Sequence, residues 1–220
     1  MGEPTVTVRS DASLRARPDE ARIDLEVWKV ERHSEDAHAD VARRSQALDT
    51  LLDELAIPKE QRTTAGVSVR AENEWSGSRW QRKGWRASNR ILVRLTDISI
   101  AGKLIGEAVD RAEATVAGPW WSVTPAHPAR TEVCTRAAVQ ARSKAQAYAE
   151  ALGTRLGALE EIREPGTGRH EPPDMFVQRA MMPTPAAMTA RADTPPPQIE
   201  IEPGEMDVYG SVELTYVLER

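Results

Sequence analysis

Residues 19–30, DEARIDLEVWKV, alternate apolar and charged side chains. The apolar face of this run consists of Ala21, Ile23, Leu25 and Val27. A period of two residues is typical of a β-strand with one buried face. The period changes at Ser34, after which apolar residues recur every three or four positions as far as Leu55. This second pattern predicts an amphipathic helix that ends before Pro58.

The same two periods predict six further strands and two further helices. The strands fall at residues 5–10, 61–74, 85–96, 120–124, 157–164 and 206–218. The runs at 61–74 and 85–96, joined by a glycine-containing tip, are expected to form a long β-hairpin. The second helix follows Asp97 as far as Ala112, and the third, rich in alanine, covers residues 129–152. Because alanine is small, we expect the neighbour of the third helix to approach closely.

Two single residues carry expectations of their own. Cys134 lies near the apolar stripe of the third helix, and the chain has no second cysteine. We therefore interpret it as a buried small hydrophobic residue and not as a redox thiol. Gly210 interrupts the alternation of the last strand, which predicts a β-bulge there.

These elements indicate a single α+β domain over residues 1–220. We expect a mixed, largely antiparallel sheet, helices packed on one face, and a projecting long β-hairpin. Both terminal regions supply strands to what should be one sheet. The ordered core is predicted to cover residues 5–164 and 206–218.

A long loop at residues 165–205 separates the last two predicted strands. It holds nine of the fifteen prolines and four of the six methionines. Two interpretations stay open: Met181 and Met182 are adaptable contacts in an oligomer, or the loop is a disordered insertion without a partner.

The composition excludes several classes of protein. The net charge is −5, hydrophobic residues make up 40% of the chain, and no apolar run approaches the length of a membrane span. The first residues lack the apolar core of a signal peptide, so we expect a soluble, cytoplasmic protein. The single Cys134 excludes an internal disulfide and any multi-cysteine metal site.

The sequence contains no recognisable catalytic motif. A phosphate-binding glycine loop, a G-x-S-x-G elbow and an H-E-x-x-H helix are all absent from it. The four histidines are scattered, and His33 and His38 are five residues apart, which does not place them on one helical face as metal ligands. We therefore expect no enzymatic activity, no metal and no cofactor.

The most unusual local chemistry lies in residues 75–90, WSGSRWQRKGWRASNR, which hold three tryptophans and five basic residues without an acid. Such a tip could anchor a protein interface, in which Trp and Arg are preferred. It could also stack nucleic-acid bases, or it could be a solvated tip whose rings cover the sheet and stack under arginines. The candidate interface residues are Trp75, Arg79, Trp80, Arg82, Lys83, Trp85 and Arg86, with Met181 and Met182 of the loop.

Four short stretches carry a resemblance to a known family. They are Arg17-Pro18-Asp19-Glu20-Ala21, Ala141-Arg142-Ser143-Lys144-Ala145 with Ala149 and Leu152-Gly153, Leu156-Gly157, and Ile201-Glu202-Pro203-Gly204-Glu205. In this order and spacing, from about Thr5 to the C-terminus, the chain resembles the SIMPL domain family, once catalogued as a domain of unknown function.

The resemblance implies a small α/β protein that self-assembles, in some relatives into rings, with loose links to stress responses and the cell envelope. No catalytic residues are established for the family. The leading hypothesis is therefore a non-enzymatic protein that forms homo-oligomers, or binds a protein partner, through the hairpin and the loop. The alternative is a nucleic-acid-associated protein that binds through residues 75–90, although the net acidity of the chain argues against nucleic acid.

Overall fold

The computed structural model describes residues 3–77, 79–165 and 201–220. Within these ranges the α-helices are α1 (Ser34–Glu54), α2 (Ala101–Ala112) and α3 (Pro128–Ala151), and short 3-10 helices cover Lys59–Gln61 and Ile98–Ile100. The α+β class and the long hairpin are confirmed. The strands are β1 (Thr5–Ala16), β2 (Glu20–Glu31), β3 (Arg62–Ser76), β4 (Arg79–Leu95), β5 (Thr115–Ser122), β6 (Arg155–Arg163) and β7 (Met206–Glu219).

The strands form two sheets, whereas the sequence led us to expect one mixed sheet. One sheet has the order β1-β7-β6, the other has the order β3-β4-β2-β5, and every pairing between described strands is antiparallel. The alternation within a strand shows that one face is buried, but it does not identify the neighbouring strand. The sequence therefore predicted the strands without separating the sheets.

The chain divides into two compact units. The terminal unit contains β1, α3, β6 and β7, and the central unit contains β2, α1, β3, β4, α2 and β5. The expectation of one domain over residues 1–220 stays a prediction. Among the helices that the structure describes, none is long and apolar enough to cross a membrane.

The central unit follows the order β-α-β-β-α-β, the split βαβ arrangement of ferredoxin-like folds. The inward residues of β2, from Ala21 to Val27, are fully buried against α1 and α2 on one face of the sheet. We call this face the helix face and the opposite one the outer face. The helix side of this core is filled by large aliphatic side chains of α1, namely Leu48, Leu51 and Leu52.

The terminal unit packs α3 on the three-stranded sheet through small side chains. The buried residues of α3 follow one row with a spacing of four residues, which is a ridge that helices commonly use for packing. Ala141 and Ala145 of this row contact Val8 of β1 and Leu214 and Tyr216 of β7. The complete row is Ala129, Val133, Ala137, Ala141, Ala145 and Ala149.

The predictions for Cys134 and Gly210 are wrong. Cys134 is exposed, because the buried row passes through Val133 and Ala137 and leaves the next position outside. Gly210 lies in regular register opposite Ala12, so the strand has no bulge there. A Cβ atom at residue 210 would lie 3.0 Å from Val133 Cγ1, and the close approach of α3 therefore favours glycine there.

Candidate functional site

The hairpin of β3 and β4 extends beyond the rest of its sheet. The pairing of β4 with β2 runs from Leu95 to Trp85, opposite Glu31, and stops there. The pairing of β4 with β3 continues to Arg79, opposite Ser76. Among the described strands, residues 72–76 and 79–84, which we call the hairpin tip, therefore pair only with each other.

Trp75 and Trp80 form a cross-strand pair at the hairpin tip. They are directly opposite in the register of β3 and β4. Their ring centroids lie 5.4 Å apart with an interplanar angle of 74°, an edge-to-face geometry that aromatic pairs prefer. The two residues remain 56% and 68% exposed, so most of their apolar surface faces solvent.

Trp85 differs from the other two tryptophans of the segment, because it is half-buried and packs against the core of the central unit. The Arg82 guanidinium lies over its ring, 5.3 Å from the centroid. The structure therefore brings Trp75 and Trp80 together as an exposed pair and places Trp85 beside the core.

A β-bulge that the sequence analysis missed separates the hairpin tip from the covered part of β4. Glu72 pairs with Gly84 and Asn73 pairs with Arg82, which leaves Lys83 as the extra residue. A Cβ atom at position 84 would lie 2.4 Å from the carbonyl oxygen of Glu31, so only glycine fits. A glycine within an alternating strand was the available signal.

Four of the five basic residues of the segment contact a partner inside the protein, and they are spread over both faces. Lys83 forms an ion pair with Glu74, with 3.7 Å between Nζ and Oε2. On the outer face, the Arg86 guanidinium lies 4.1 Å from the ring centroid of Trp28. Trp28 Nε1–H in turn donates to Thr115 Oγ1 at 3.1 Å. Arg79 is exposed beside the turn.

Arg90, the last basic residue of the segment, is held by a buried carboxylate. Its Nε–H donates to both oxygens of Asp24, at 2.9 Å and 2.7 Å. Asp24 is only 5% exposed. This hydrogen bonding and the charge of Asp24 raise the pKa of Arg90 above its usual value. Arg90 therefore belongs to a structural ion pair of the outer face.

The exposed surface continues from the tip along β3, a feature that the sequence analysis did not select. β3 is the outer strand of its sheet, so one side of its backbone has no neighbouring strand among the described residues. Val67 and Val69 are 64% and 43% exposed. Alternation places them on the same face as Trp75. The alternating Val67-Ser68-Val69 was the signal for this apolar strip.

Met181 and Met182, the two candidate contacts of the long loop, lie outside the described residues. The candidate site that the structure defines therefore consists of the exposed tryptophans and the basic residues of the hairpin tip, together with the two exposed valines of β3. We call this set the hairpin surface: Val67, Val69, Trp75, Arg79, Trp80, Arg82 and Lys83.

The fold and this surface define an α+β protein of two antiparallel sheets, with α1 and α2 on one sheet and α3 on the other, and with an aromatic hairpin exposed beyond the first. A family model described as SIMPL, a protein of unknown function (DUF541), matches residues 6–216. The chain belongs to the SIMPL family, and the resemblance found in its sequence is confirmed. No curated protein matches the chain.

Proposed function

We propose that this protein is a non-enzymatic, self-associating member of the SIMPL family and that the hairpin surface is its contact surface. The observation that carries the proposal is the exposure of Trp75 and Trp80. Two adjacent tryptophans with most of their surface in water lose favourable burial that a second molecule can supply.

The chemistry of the surrounding residues supports the same proposal. Aromatic residues and arginine are enriched among the residues that dominate binding energy in protein interfaces. The exposed Val67 and Val69 add apolar surface on the same face of β3, with Ala71 and Asn73 between them and Trp75. Large exposed apolar surface on a folded protein commonly marks an interaction site.

A role in stress responses or at the cell envelope is a finer part of the proposal and rests on the family resemblance. A cytoplasmic location and the absence of catalysis are further parts of the proposal, and they rest on the sequence of this chain and not on the resemblance. A protein partner other than a second copy would use the same hairpin surface.

Light scattering after size-exclusion chromatography tests self-association. We expect the intact protein to have the mass of an oligomer and the Trp75→Ser/Trp80→Ser variant to have the mass of a monomer. Trp120→Ser is the matched control, because Trp120 is also exposed (42%) but lies on β5 at the other edge of the sheet. A monomeric intact protein, or an oligomer that survives the double substitution, contradicts the proposal.

The alternative proposal is single-strand nucleic-acid binding at the hairpin tip. It is supported by the exposed rings of Trp75 and Trp80 near Arg79, because bases stack on aromatic side chains within basic surfaces. A fluorescence titration with a single-stranded oligonucleotide tests it. Binding should weaken as salt increases, since phosphate contacts release counterions. An isotherm that does not depend on salt, or no binding at low salt, excludes this alternative.

A further inference from the structure

We propose that β3 pairs edge to edge with β3 of a second copy of this chain, in an antiparallel register centred on Ala71. The proposal rests on the self-association proposed above and adds the strand, the symmetry and the register. The two four-stranded sheets of the central units would become one continuous sheet across a two-fold axis.

The first step is that the outer edge of β3 is long and exposed. β3 is the outer strand, is fifteen residues long and contains no proline. Residues 63–71 are exposed throughout. Unpaired backbone groups along a long edge strand form a template for another strand unless the strand is short, bulged or covered.

The second step is the part of β3 that is regular. Its pairing with β4 is irregular at Ala65, between Thr64 and Gly66. From Gly66 to Ser76 each β3 residue has a partner without an extra residue on β3, since Lys83 is the inserted residue of the second irregularity. The midpoint of Gly66–Ser76 is Ala71. A two-fold axis at Ala71 therefore gives the largest overlap of two regular strands.

The third step is charge, which selects the same register independently. With the axis at Ala71, Arg70 lies opposite Glu72 of the second copy, and symmetry makes this pair twice. An axis at Arg70 would place Arg70 opposite its own copy. An axis at Glu72 would pair Arg70 with Glu74 but would place Glu72 opposite its own copy, so that of these three registers the one at Ala71 pairs opposite charges without a like-charge pair. Opposite charges across a strand pair stabilise it, and like charges destabilise it.

The fourth step is the distribution of side chains over the two faces. A two-fold axis perpendicular to the sheet keeps the helix face of both copies on one side, so that paired residues come from the same face. Val67 would then lie opposite Trp75 of the second copy on the helix face. The Arg70 pairs would lie on the outer face. The register thus covers exposed apolar surface and pairs charges at the same time.

Disulfide trapping tests the register in the full-length chain. Ala71→Cys is made in a Cys134→Ser background, because Cys134 is exposed. Directly opposed antiparallel residues have Cα atoms about 4.5–5.5 Å apart, within the roughly 4.4–6.8 Å range of disulfides. We expect Ala71→Cys to form a covalent dimer under mild oxidation, seen on a non-reducing gel.

Ser68→Cys in the same background is the matched control. Ser68 is exposed on the same strand. In the proposed register, residue 68 lies opposite residue 74 of the second copy, which places the two introduced cysteines about 20 Å apart along the strands. It should therefore stay monomeric on the gel, and equal cross-linking of both variants overturns the register.

A charge exchange supplies a second measurement. Arg70→Glu alone and Glu72→Arg alone should each weaken association roughly tenfold, because each puts two like-charge pairs at the interface. The double variant Arg70→Glu/Glu72→Arg should restore it, as measured by sedimentation equilibrium.

The outcomes separate the two proposals. An oligomer in which Ala71→Cys does not cross-link, or in which the charge exchange does not restore association, keeps self-association and overturns the β3 pairing. A protein that is monomeric at all concentrations overturns both and leaves the β3 edge to a strand of a different protein.

Discussion

The two units of this molecule bury their sheets in different ways. The central unit fills the space between sheet and helices with large aliphatic side chains such as Leu51 and Leu104. The terminal unit brings α3 close to its sheet through alanines, with Gly210 under Val133. The helix residues at both interfaces are fully buried. The core of the central unit, however, depends on the volume of its side chains, and the core of the terminal unit depends on the closeness of helix and sheet. The central unit should therefore be most sensitive to loss of side-chain volume, and the terminal unit to added volume.

Aromatic residues divide between the units as well. The tryptophans are Trp28, Trp75, Trp80, Trp85, Trp120 and Trp121, and all six belong to the central unit. Tyr148, Tyr209 and Tyr216 all belong to the terminal unit. Tryptophan fluorescence therefore reports on the central unit, whereas far-UV circular dichroism reports on both. This difference lets the two cores be compared by mutation.

The largest expected effect is loss of volume in the central core. Leu51→Ala should lower the free energy of unfolding by about 2–5 kcal/mol, since it removes a fully buried side chain and leaves a cavity. Urea unfolding followed by tryptophan fluorescence measures it. Val109→Ala, at a 46% exposed position of α2, should change stability by less than about 0.5 kcal/mol. Equal effects of the two changes would mean that Leu51 is not in the core.

Added volume should damage the terminal core. Ala145→Leu should cost about 1–3 kcal/mol, because the side chain has no space between α3 and the sheet. Ala147→Leu, the same change at an exposed position of the same helix, is the control. Unchanged unfolding of Ala145→Leu by circular dichroism would contradict the proximity of α3. If the unfolding transition of Ala145→Leu followed by tryptophan fluorescence shifts as much as the transition followed by circular dichroism, the two units unfold together, as one domain requires.

A smaller effect is expected from a single methyl group. Gly210→Ala should destabilise by about 1 kcal/mol, because its Cβ would lie 3.0 Å from Val133 Cγ1 and 3.2 Å from the Val133 carbonyl carbon. Gly106→Ala in α2 should instead stabilise by about 0.5–1 kcal/mol, since its Cβ would meet nothing within 4 Å. Thermal melting should show a lower melting temperature for Gly210→Ala and a higher one for Gly106→Ala. A shift of both variants in the same direction would contradict the difference between the two units.

The smallest expected effect concerns an ion pair on α1 in the central unit, in which the charged side chain of Arg44 is buried. Arg43 and Arg44 each donate a hydrogen bond of 2.5 Å to Asp40. Burial tends to raise the pKa of Asp40, but these bonds and charges outweigh it and lower the pKa. The ionised carboxylate therefore stabilises the fold above its ordinary pKa of about 4, and this contribution disappears as the pH falls through the lowered value.

Asp40→Asn should accordingly show a flatter dependence of stability on pH than the intact protein. The difference should be about 0.3–0.5 kcal/mol, the value for an exposed ion pair within a helix, because the buried Arg44 keeps a second partner, Glu113, at 2.9 Å. Melting followed by tryptophan fluorescence from pH 7 to pH 3 measures it. Identical pH profiles would show that Asp40 does not contribute in this way.

Much of the fold could be predicted because its signals are local. The alternation in β2 and the change of period at Ser34 place a strand and a helix near their observed bounds. Cys134 could not be placed, because an alanine-rich helix has little contrast between its faces. Gly210 was misinterpreted because a β-bulge and a closely packed helix both favour glycine within a strand, and the sequence does not distinguish them.

The candidate site was predicted in part for the same reason. The hairpin and its aromatic character are local, so residues 75–90 were found. Whether a tryptophan is exposed depends on what covers it: Trp85 packs against the core, whereas Trp75 and Trp80 lie beyond β2. The exposure of β3 depends on strand order, which no local pattern encodes.

The sequence by itself determined the helices, the strands, the hairpin and the family, because hydrophobic period and short motifs act over a few residues. Only the tertiary structure decided that β1 and β7 form a sheet with β6 apart from the other four strands. It also decided that β3 is an edge and that Gly210 lies beneath α3. Those facts depend on contacts between residues distant in the chain, such as Val8 with Leu214, and such contacts leave no periodic trace.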